Sequence, residues 1–125
     1  MKPTVGGKVV LVVDDDADTA AMLTELIRTL GHSTEFVTDP RRVYEAAQRI
    51  KPDLIFLDIG MPHLSGWDLA RSLREGLGRE AVRLIAVSGA GAPADHRRSR
   101  EAGFDAHVQK PIDMRLLESI LAQVQ

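Results

Sequence analysis

Residues 54 to 66 read LIFLDIGMPHLSG, and the fold is easiest to infer from this stretch. Four apolar residues lead to a single carboxylate, Asp58, and turn-forming residues follow it at Gly60 and Pro62. A short apolar run bounded by turn signals is typical of a strand buried on both faces, as in a parallel sheet. Ligands of open α/β sheets bind outside the carboxyl ends of such strands. We therefore predict that Asp58 is the reacting group of this protein.

Alternating apolar runs and helical periodicities extend from this strand in both directions. Besides 54–58, the pattern predicts strands at 9–13, 33–38, 83–87 and 106–109. It predicts helices at 17–30, 40–50, 67–75 and 93–102, and a last helix that Asp113 caps and that reaches almost to residue 125. Each crossover is long enough for a right-handed parallel connection. The expected architecture is a doubly wound α/β sandwich, although the alternation alone leaves the strand order open.

Length and composition describe one ordinary globular domain. The chain has 125 residues, of which 44% are hydrophobic and 27% charged, with a formal net charge of −2. We expect a loose lead-in over residues 1–7 and a single domain over 8–125. The charge argues against a general nucleic-acid binder, and the lack of cysteine excludes disulfides, thiolate metal sites and a thiol nucleophile. No apolar run approaches the roughly 20 residues of a membrane span, and no signal peptide is evident, which is compatible with a cytoplasmic protein.

Polar residues follow several of the predicted strands where each strand ends. In chain order they are Asp14 and Asp15, Asp58, Ser88 and Lys110. Because the carboxyl ends of parallel strands lie along one edge of the sheet, we expect these residues to converge.

The chemistry of this set suits phosphoryl transfer. Clustered carboxylates repel one another unless a cation is present, and magnesium is typically held by one or two carboxylates together with phosphate oxygens. A metal ion, a lysine ammonium and a hydroxyl can neutralise the charge that spreads over a phosphoryl group in flight. A carboxylate can itself be the nucleophile and form an acyl phosphate. The residues therefore predict phosphoryl transfer onto Asp58.

Four stretches carry a resemblance to a known family. They are VVLVVDDD at 9–16, LIFLDIGMPHLSG at 54–66, LIAVSGAG at 84–91 and HVQKPID at 107–113. In order and spacing they resemble the receiver domain of two-component response regulators, over nearly the whole chain. The resemblance implies a (βα)5, flavodoxin-like three-layer sandwich with strand order 2-1-3-4-5.

The resemblance also implies a role for each residue of the set. Asp58 is the expected phosphoacceptor. Mg²⁺, or Mn²⁺ as a substitute, is expected on Asp14, Asp15, Asp58 and the backbone carbonyl of Gly60. Ser88 is the expected switch hydroxyl, and Lys110 the phosphate-pairing lysine with a cis bond to Pro111.

His107 departs from the commonest pattern of the family. Three residues before the lysine, receivers often have Tyr or Phe as a rotameric switch, so an aromatic readout is in doubt here. The segment GFDAHVQKP at 103–111 resembles receivers attached to hybrid histidine kinases. An imidazole titrates near neutrality, which makes a pH dependence testable. We nevertheless interpret His107 as a partly packed structural histidine rather than a pH sensor.

The implied partners follow from the family. A phosphohistidine on a histidine kinase or a phosphotransfer domain is the expected donor, and water later hydrolyses the acyl phosphate. The face formed by the fourth helix, the fifth strand and the fifth helix is expected to bind a downstream partner. Direct nucleic-acid binding and membrane insertion of this segment are not expected. The small residues Gly60 and Ala90 predict a short-lived phosphoprotein.

Two alternatives remain open from the sequence alone. A phosphatase of the haloacid-dehalogenase type also uses a strand-end aspartate, and Asp14 and Asp16 fit part of its motif, although Asp18 stands where that motif has Thr or Val. An unreactive receiver-like interaction module is the other. A dinucleotide-binding role is excluded because no G-x-G-x-x-G follows the first strand.

Several further residues carry weaker signals. His32, His63 and His96 show no metal-ligand spacing, and we interpret them as surface residues. Trp67 is expected to pack in the core. The cluster of Arg97, Arg98 and Arg100 is interpreted as a solvated helix face, with partner contact as the minority alternative.

Overall fold

The computed structural model describes residues 7–61, 65–78, 82–89 and 96–123. Strands and helices alternate along the chain. The strands are β1 (Val9–Val13), β2 (Ser33–Val37), β3 (Leu54–Asp58), β4 (Arg83–Ser88) and β5 (Ala106–Gln109). The helices are α1 (Ala17–Thr29), α2 (Val43–Ile50), α3 (Gly66–Leu77), α4 (His96–Ala102) and α5 (Met114–Gln123). This alternation confirms the predicted α/β class.

The five strands form one sheet in the order β2-β1-β3-β4-β5, and every neighbouring pair is parallel. The order is the one that the family resemblance implied. In the register, Val13 lies opposite Leu57, Asp58 opposite Val87, and Ser88 opposite Gln109. The carboxyl ends of β1, β3, β4 and β5 therefore meet at one edge, which is where the functional residues were expected.

Strict alternation of side chains divides the core into two layers. One member of each alternating pair, such as Leu11 or Ile55, packs with α2 and α3 on one face of the sheet. The other member, such as Val10 or Phe56, packs with α1 and α5 on the opposite face. Because β1 and β3 have helices on both sides, their residues are apolar at nearly every position. The result is the three-layer sandwich that was predicted.

Helix ends explain the small differences from the predicted bounds. The second predicted helix splits into a 3-10 turn at Pro40–Arg42 and α2, with the Asp39 side chain capping the turn. The third helix is longer than predicted and ends at Leu77, with Gly78 as its C-cap, where a φ of 89° favours glycine. Asp113 accepts a hydrogen bond from the Leu116 amide at 2.8 Å, as the predicted cap of α5.

Some predictions fall on residues that the structure does not describe. They concern the lead-in over 1–6, His63, Ala90 and the start of the fourth helix at Pro93. They lie outside the described residues and stay predictions.

The histidine predictions have different outcomes. His96 is exposed, as predicted. His32 was wrongly interpreted as a surface residue: it is half-buried, and its Nδ1 accepts a hydrogen bond from the Lys8 amide at 2.8 Å. Burial lowers the pKa of His32, and the charge of Lys8 lowers it further.

The described helices are all too short or too polar to cross a bilayer.

Candidate functional site

Asp58 is the last residue of β3 and lies at the edge of the sheet where the parallel strands end. It is 6% exposed, and its Oδ1 accepts a hydrogen bond from the Gly60 amide at 2.8 Å. A Cβ atom at position 60 would lie 3.3 Å from the same oxygen, so glycine keeps the carboxylate uncrowded. The other oxygen, Oδ2, lies 3.3 Å from Lys110 Nζ.

Asp14 and Asp15 follow β1 and bring two more carboxylates to this point. Asp14 is buried, and the β1–β2 pairing holds its backbone through a bond from its amide to the Val37 carbonyl. Asp15 is exposed. One oxygen from each of Asp14, Asp15 and Asp58 lies within 4.8 Å of the other two. A hard divalent cation such as Mg²⁺ prefers carboxylate oxygens, so this donor set fits the expected metal ion.

Lys110 is the cation that meets the buried carboxylates. Its Nζ lies 2.8 Å from Asp14 Oδ2 and 3.3 Å from Asp58 Oδ2. Burial alone would lower the pKa of Lys110, but the hydrogen bond to Asp14 and the charges of Asp58 and Asp14 raise it above its ordinary value. The bond to Pro111 is cis, as the resemblance implied.

The protonation of Asp58 reflects the same surroundings. Burial raises its pKa and the neighbouring Asp14 raises it further, against the lowering effects of the Gly60 amide and of Lys110. The site therefore combines a desolvated carboxylate with the cation that balances it.

Ser88 ends β4, next to the position opposite Asp58, and it is 3% exposed. Its hydroxyl lies 3.1 Å from His107 Nε2 on β5, so the expected switch hydroxyl contacts the residue that stands where the family often has Tyr or Phe. The other ring nitrogen, Nδ1, lies 2.8 Å from the Ser99 hydroxyl on α4. The His96 ring lies beside the same imidazole, with centroids 4.7 Å apart.

Trp67 extends this chain of contacts to α3. Its ring packs partly against the core, as predicted, and its Nε1–H donates a hydrogen bond to Ser99 Oγ at 3.1 Å. The Arg98 guanidinium lies 4.0 Å from the centre of the indole ring. Arg98 of the predicted solvated cluster thus has a specific contact, whereas Arg97 pairs with Glu101 along α4 at 3.1 Å.

Sequence reasoning missed Ser99 completely. A serine within a polar helix is an ordinary surface residue, and no spacing relates it to Ser88 or His107. The packing of α4 against α3 and β5 buries it, to 1% exposure.

An apolar cleft of about 290 Å³ opens beside the site. Asp14, Asp58 and Lys110 form its polar wall. Its apolar wall includes Met22, which is 68% exposed, and Ile112.

Asp16 does not join the carboxylate cluster. Its oxygens accept bonds from the Asp18 amide and the Thr19 hydroxyl, at 3.2 and 2.6 Å, and so cap α1. The hydrogen bonds from Thr19 and Asp18 lower the pKa of this exposed group. The aspartate pair that a haloacid-dehalogenase phosphatase requires is therefore not assembled.

The family model of the response regulator receiver domain matches residues 10–122. The chain belongs to this family. Receiver domains are the phosphoacceptor modules of two-component signalling and interact with histidine kinases or phosphotransfer proteins.

Two relatives of this receiver domain are longer proteins. It is 38% identical over 101 residues to a gliding motility regulatory protein of Myxococcus xanthus, covering 81% of this chain and 13% of that protein. It is 36% identical over 102 residues to the DNA-binding response regulator MtrA of Mycobacterium tuberculosis, covering 82% of this chain and 43% of MtrA. The chain thus spans less than half of either relative.

Solved structures agree with the fold. A receiver domain from Methylobacillus flagellatus, described as CheY-like, superimposes with a TM-score of 0.83 at 28% identity, over 95% of this chain and 99% of that one.

Proposed function

We propose that this receiver domain takes a phosphoryl group onto Asp58 from a phosphohistidine of a histidine kinase or phosphotransfer domain. The observation that carries the proposal is the contact of one ammonium, that of Lys110, with the two buried carboxylates of Asp58 and Asp14. A carboxyl oxygen of Asp58 attacks phosphorus, and the bond from phosphorus to the donor imidazole nitrogen breaks. The electron pair stays on that nitrogen, which takes up a proton from solvent, so that a neutral imidazole is left.

The carboxylates of Asp14, Asp15 and Asp58 would hold Mg²⁺, or Mn²⁺ in its place, and the backbone carbonyl of Gly60 would complete the protein's ligands. When bound, the metal ion supplies positive charge against the phosphoryl oxygens. Lys110 supplies a second positive charge, and the Ser88 hydroxyl supplies a hydrogen bond. Ser88 ends β4 and Lys110 follows the neighbouring strand β5, so both groups would close on the phosphoryl group from the same edge of the sheet.

The downstream effect would be read on the face formed by α4, β5 and α5. Ser88 contacts His107 on β5, and His107 contacts Ser99 on α4, so a displacement of Ser88 is passed to two of the three elements. A partner that prefers the phosphorylated arrangement shifts the population toward it. We place this receiver, with residues 8–125 as its domain, in the cytoplasm, and we favour attachment to a hybrid histidine kinase.

Hydrolysis would reset the module. Water attacks phosphorus, the bond to the Asp58 oxygen breaks, and inorganic phosphate leaves. Because glycine at position 60 leaves the acceptor oxygen uncrowded, we expect a short-lived phosphoprotein; a half-life of many hours would contradict this expectation.

Intact-protein mass after incubation with acetyl phosphate tests the proposal. One phosphoryl group should be added in the presence of Mg²⁺, none without it, and none in Asp58→Asn. Asp16→Asn is the matched control, because Asp16 lies two residues from Asp14 yet caps α1 and should leave the adduct intact. Absence of an adduct, with no Trp67 fluorescence response to beryllofluoride and Mg²⁺, would support the unreactive module instead. Sustained turnover of an aryl phosphate would support a phosphatase.

A further inference from the structure

Four side chains form a continuous line of hydrogen bonds that ends at the switch hydroxyl. The line runs from Trp67 on α3 to Ser99 on α4, then to His107 on β5 and Ser88 on β4. The three links measure 3.1, 2.8 and 3.1 Å. The four residues lie on four different secondary-structure elements, so it is the fold that brings them into line.

The direction of the bonds is set at the Trp67 end. An indole N–H can only donate, so Ser99 Oγ accepts there. Ser99 is 1% exposed, and a buried hydroxyl proton without an acceptor costs free energy. Within the described residues, the acceptor in reach of that proton is His107 Nδ1. Ser99 therefore donates to Nδ1.

This direction decides the tautomer of the imidazole. A neutral ring that accepts at Nδ1 carries its proton on Nε2. Nε2–H then donates to Ser88 Oγ, which leaves the Ser88 hydroxyl proton free to point away from His107. In the opposite tautomer, the proton is on Nδ1 and Ser88 would donate its own proton to Nε2. Ser99 Oγ would then accept hydrogen bonds from both Trp67 and His107, and the Ser99 hydroxyl proton would have no acceptor among the described residues.

We propose that Ser99 and Trp67 are positioning residues that hold His107 in its Nε2–H tautomer, so that Ser88 keeps its hydroxyl proton for the phosphoryl group on Asp58. The functional part rests on the proposed phosphorylation of Asp58. The tautomer itself is a property of the unphosphorylated protein.

The tautomer is measured by ¹⁵N NMR of the protein labelled at histidine, at neutral pH and without phosphate. The wild-type spectrum should show His107 protonated at Nε2 alone. Ser99→Ala removes the donor to Nδ1 and should give a mixture of tautomers, and Trp67→Phe, which keeps a ring but loses the N–H, should weaken the preference. A wild-type ring protonated at Nδ1, or at both nitrogens, would overturn the proposal.

Phosphorylation by acetyl phosphate tests the consequence. The rate in Ser99→Ala should fall roughly threefold to tenfold, the worth of about one net hydrogen bond. Thr24→Ala is the matched control, because Thr24 also carries a buried hydroxyl in a helix, but one without a hydrogen-bond partner among the described residues. Its rate and its His107 spectrum should equal those of the wild type.

The two proposals fail in different ways. If the wild type forms no adduct while His107 is protonated at Nε2, the proposed function fails and the tautomer assignment stands. If the wild type is phosphorylated but Ser99→Ala keeps both the tautomer and the rate, the positioning role is refuted.

Discussion

Lys110 Nζ lies 2.8 Å from Asp14 Oδ2, a closer contact than the one it makes with the acceptor carboxylate. The ammonium would thus compete with a metal ion for Asp14, an expected metal ligand. In Lys110→Met the competing charge is gone, and Mg²⁺ should bind more tightly, on the order of tenfold. Titration of Mg²⁺ followed by Trp67 fluorescence or calorimetry measures this.

Lys8→Met is the matched control for that titration. It makes the same change in net charge, but Lys8 precedes β1 at the opposite edge of the sheet. Its effect on Mg²⁺ affinity should be small. Equal or weaker binding in Lys110→Met than in the wild type would show that the two cations do not compete.

Arg74 stabilises the junction of α3, β4 and the segment that precedes β5. Its side chain is 9% exposed and donates to the Gly103 carbonyl at 2.8 Å, the Val82 carbonyl at 2.5 Å and Asp105 Oδ2 at 2.7 Å. Arg74→Met removes one donor from each of these acceptors and should lower the free energy of unfolding by roughly 3 kcal/mol. Urea denaturation measures the change.

Arg71 on the same helix provides the comparison. It pairs with Asp68 at 2.9 Å, but both side chains are about half exposed or more. Arg71→Met should cost less than about 1 kcal/mol. Similar losses of stability in the two variants would mean that the buried contacts of Arg74 stabilise the fold no more than an exposed ion pair does.

His32 should make the protein less stable in acid. Its folded-state pKa lies below the ordinary value of 6.5, chiefly because the ring is partly buried, whereas the unfolded chain takes up a proton near 6.5. The stabilisation is fully present above 6.5 and is lost as the pH falls through this value toward the folded-state pKa.

An asparagine at position 32 can accept the hydrogen bond from the Lys8 amide with its side-chain carbonyl oxygen, but it does not titrate. Between about pH 7.5 and pH 5, the free energy of unfolding should therefore fall more in the wild type than in His32→Asn. Parallel pH profiles from urea denaturation would contradict the assignment.

Thr24 offers a stabilising substitution. Its hydroxyl is buried in α1 and has no hydrogen-bond partner among the described residues. Thr24→Val keeps the shape and the β-branching but removes the unpaired polar group, so the unfolding free energy should rise by about 1 kcal/mol. Thr29→Val is the contrast, because the Thr29 hydroxyl is exposed and donates to the Glu25 carbonyl at 2.9 Å. A loss of stability in Thr24→Val would contradict the prediction.

The sequence predicted those parts of the site that depend on where strands end. Asp14, Asp58 and Lys110 converge because parallel strands bring their carboxyl ends to one edge, and apolar runs locate those ends. The relay through Ser99 could not be predicted, because it needs the packing of α4 against both α3 and β5. The same holds for Arg74 and His32, whose partners lie on other parts of the fold.

The central claim is that Asp58 is the residue that becomes phosphorylated. Borohydride reduces an aspartyl phosphate to homoserine, so treatment of the phosphorylated protein followed by peptide sequencing identifies the acceptor directly. We predict homoserine at position 58, dependent on Mg²⁺ and on the phosphoryl donor, with Asp14 and Asp15 unchanged. Homoserine at Asp14 or Asp15 instead, or a stable phosphoprotein with Asp58 intact, would contradict the account.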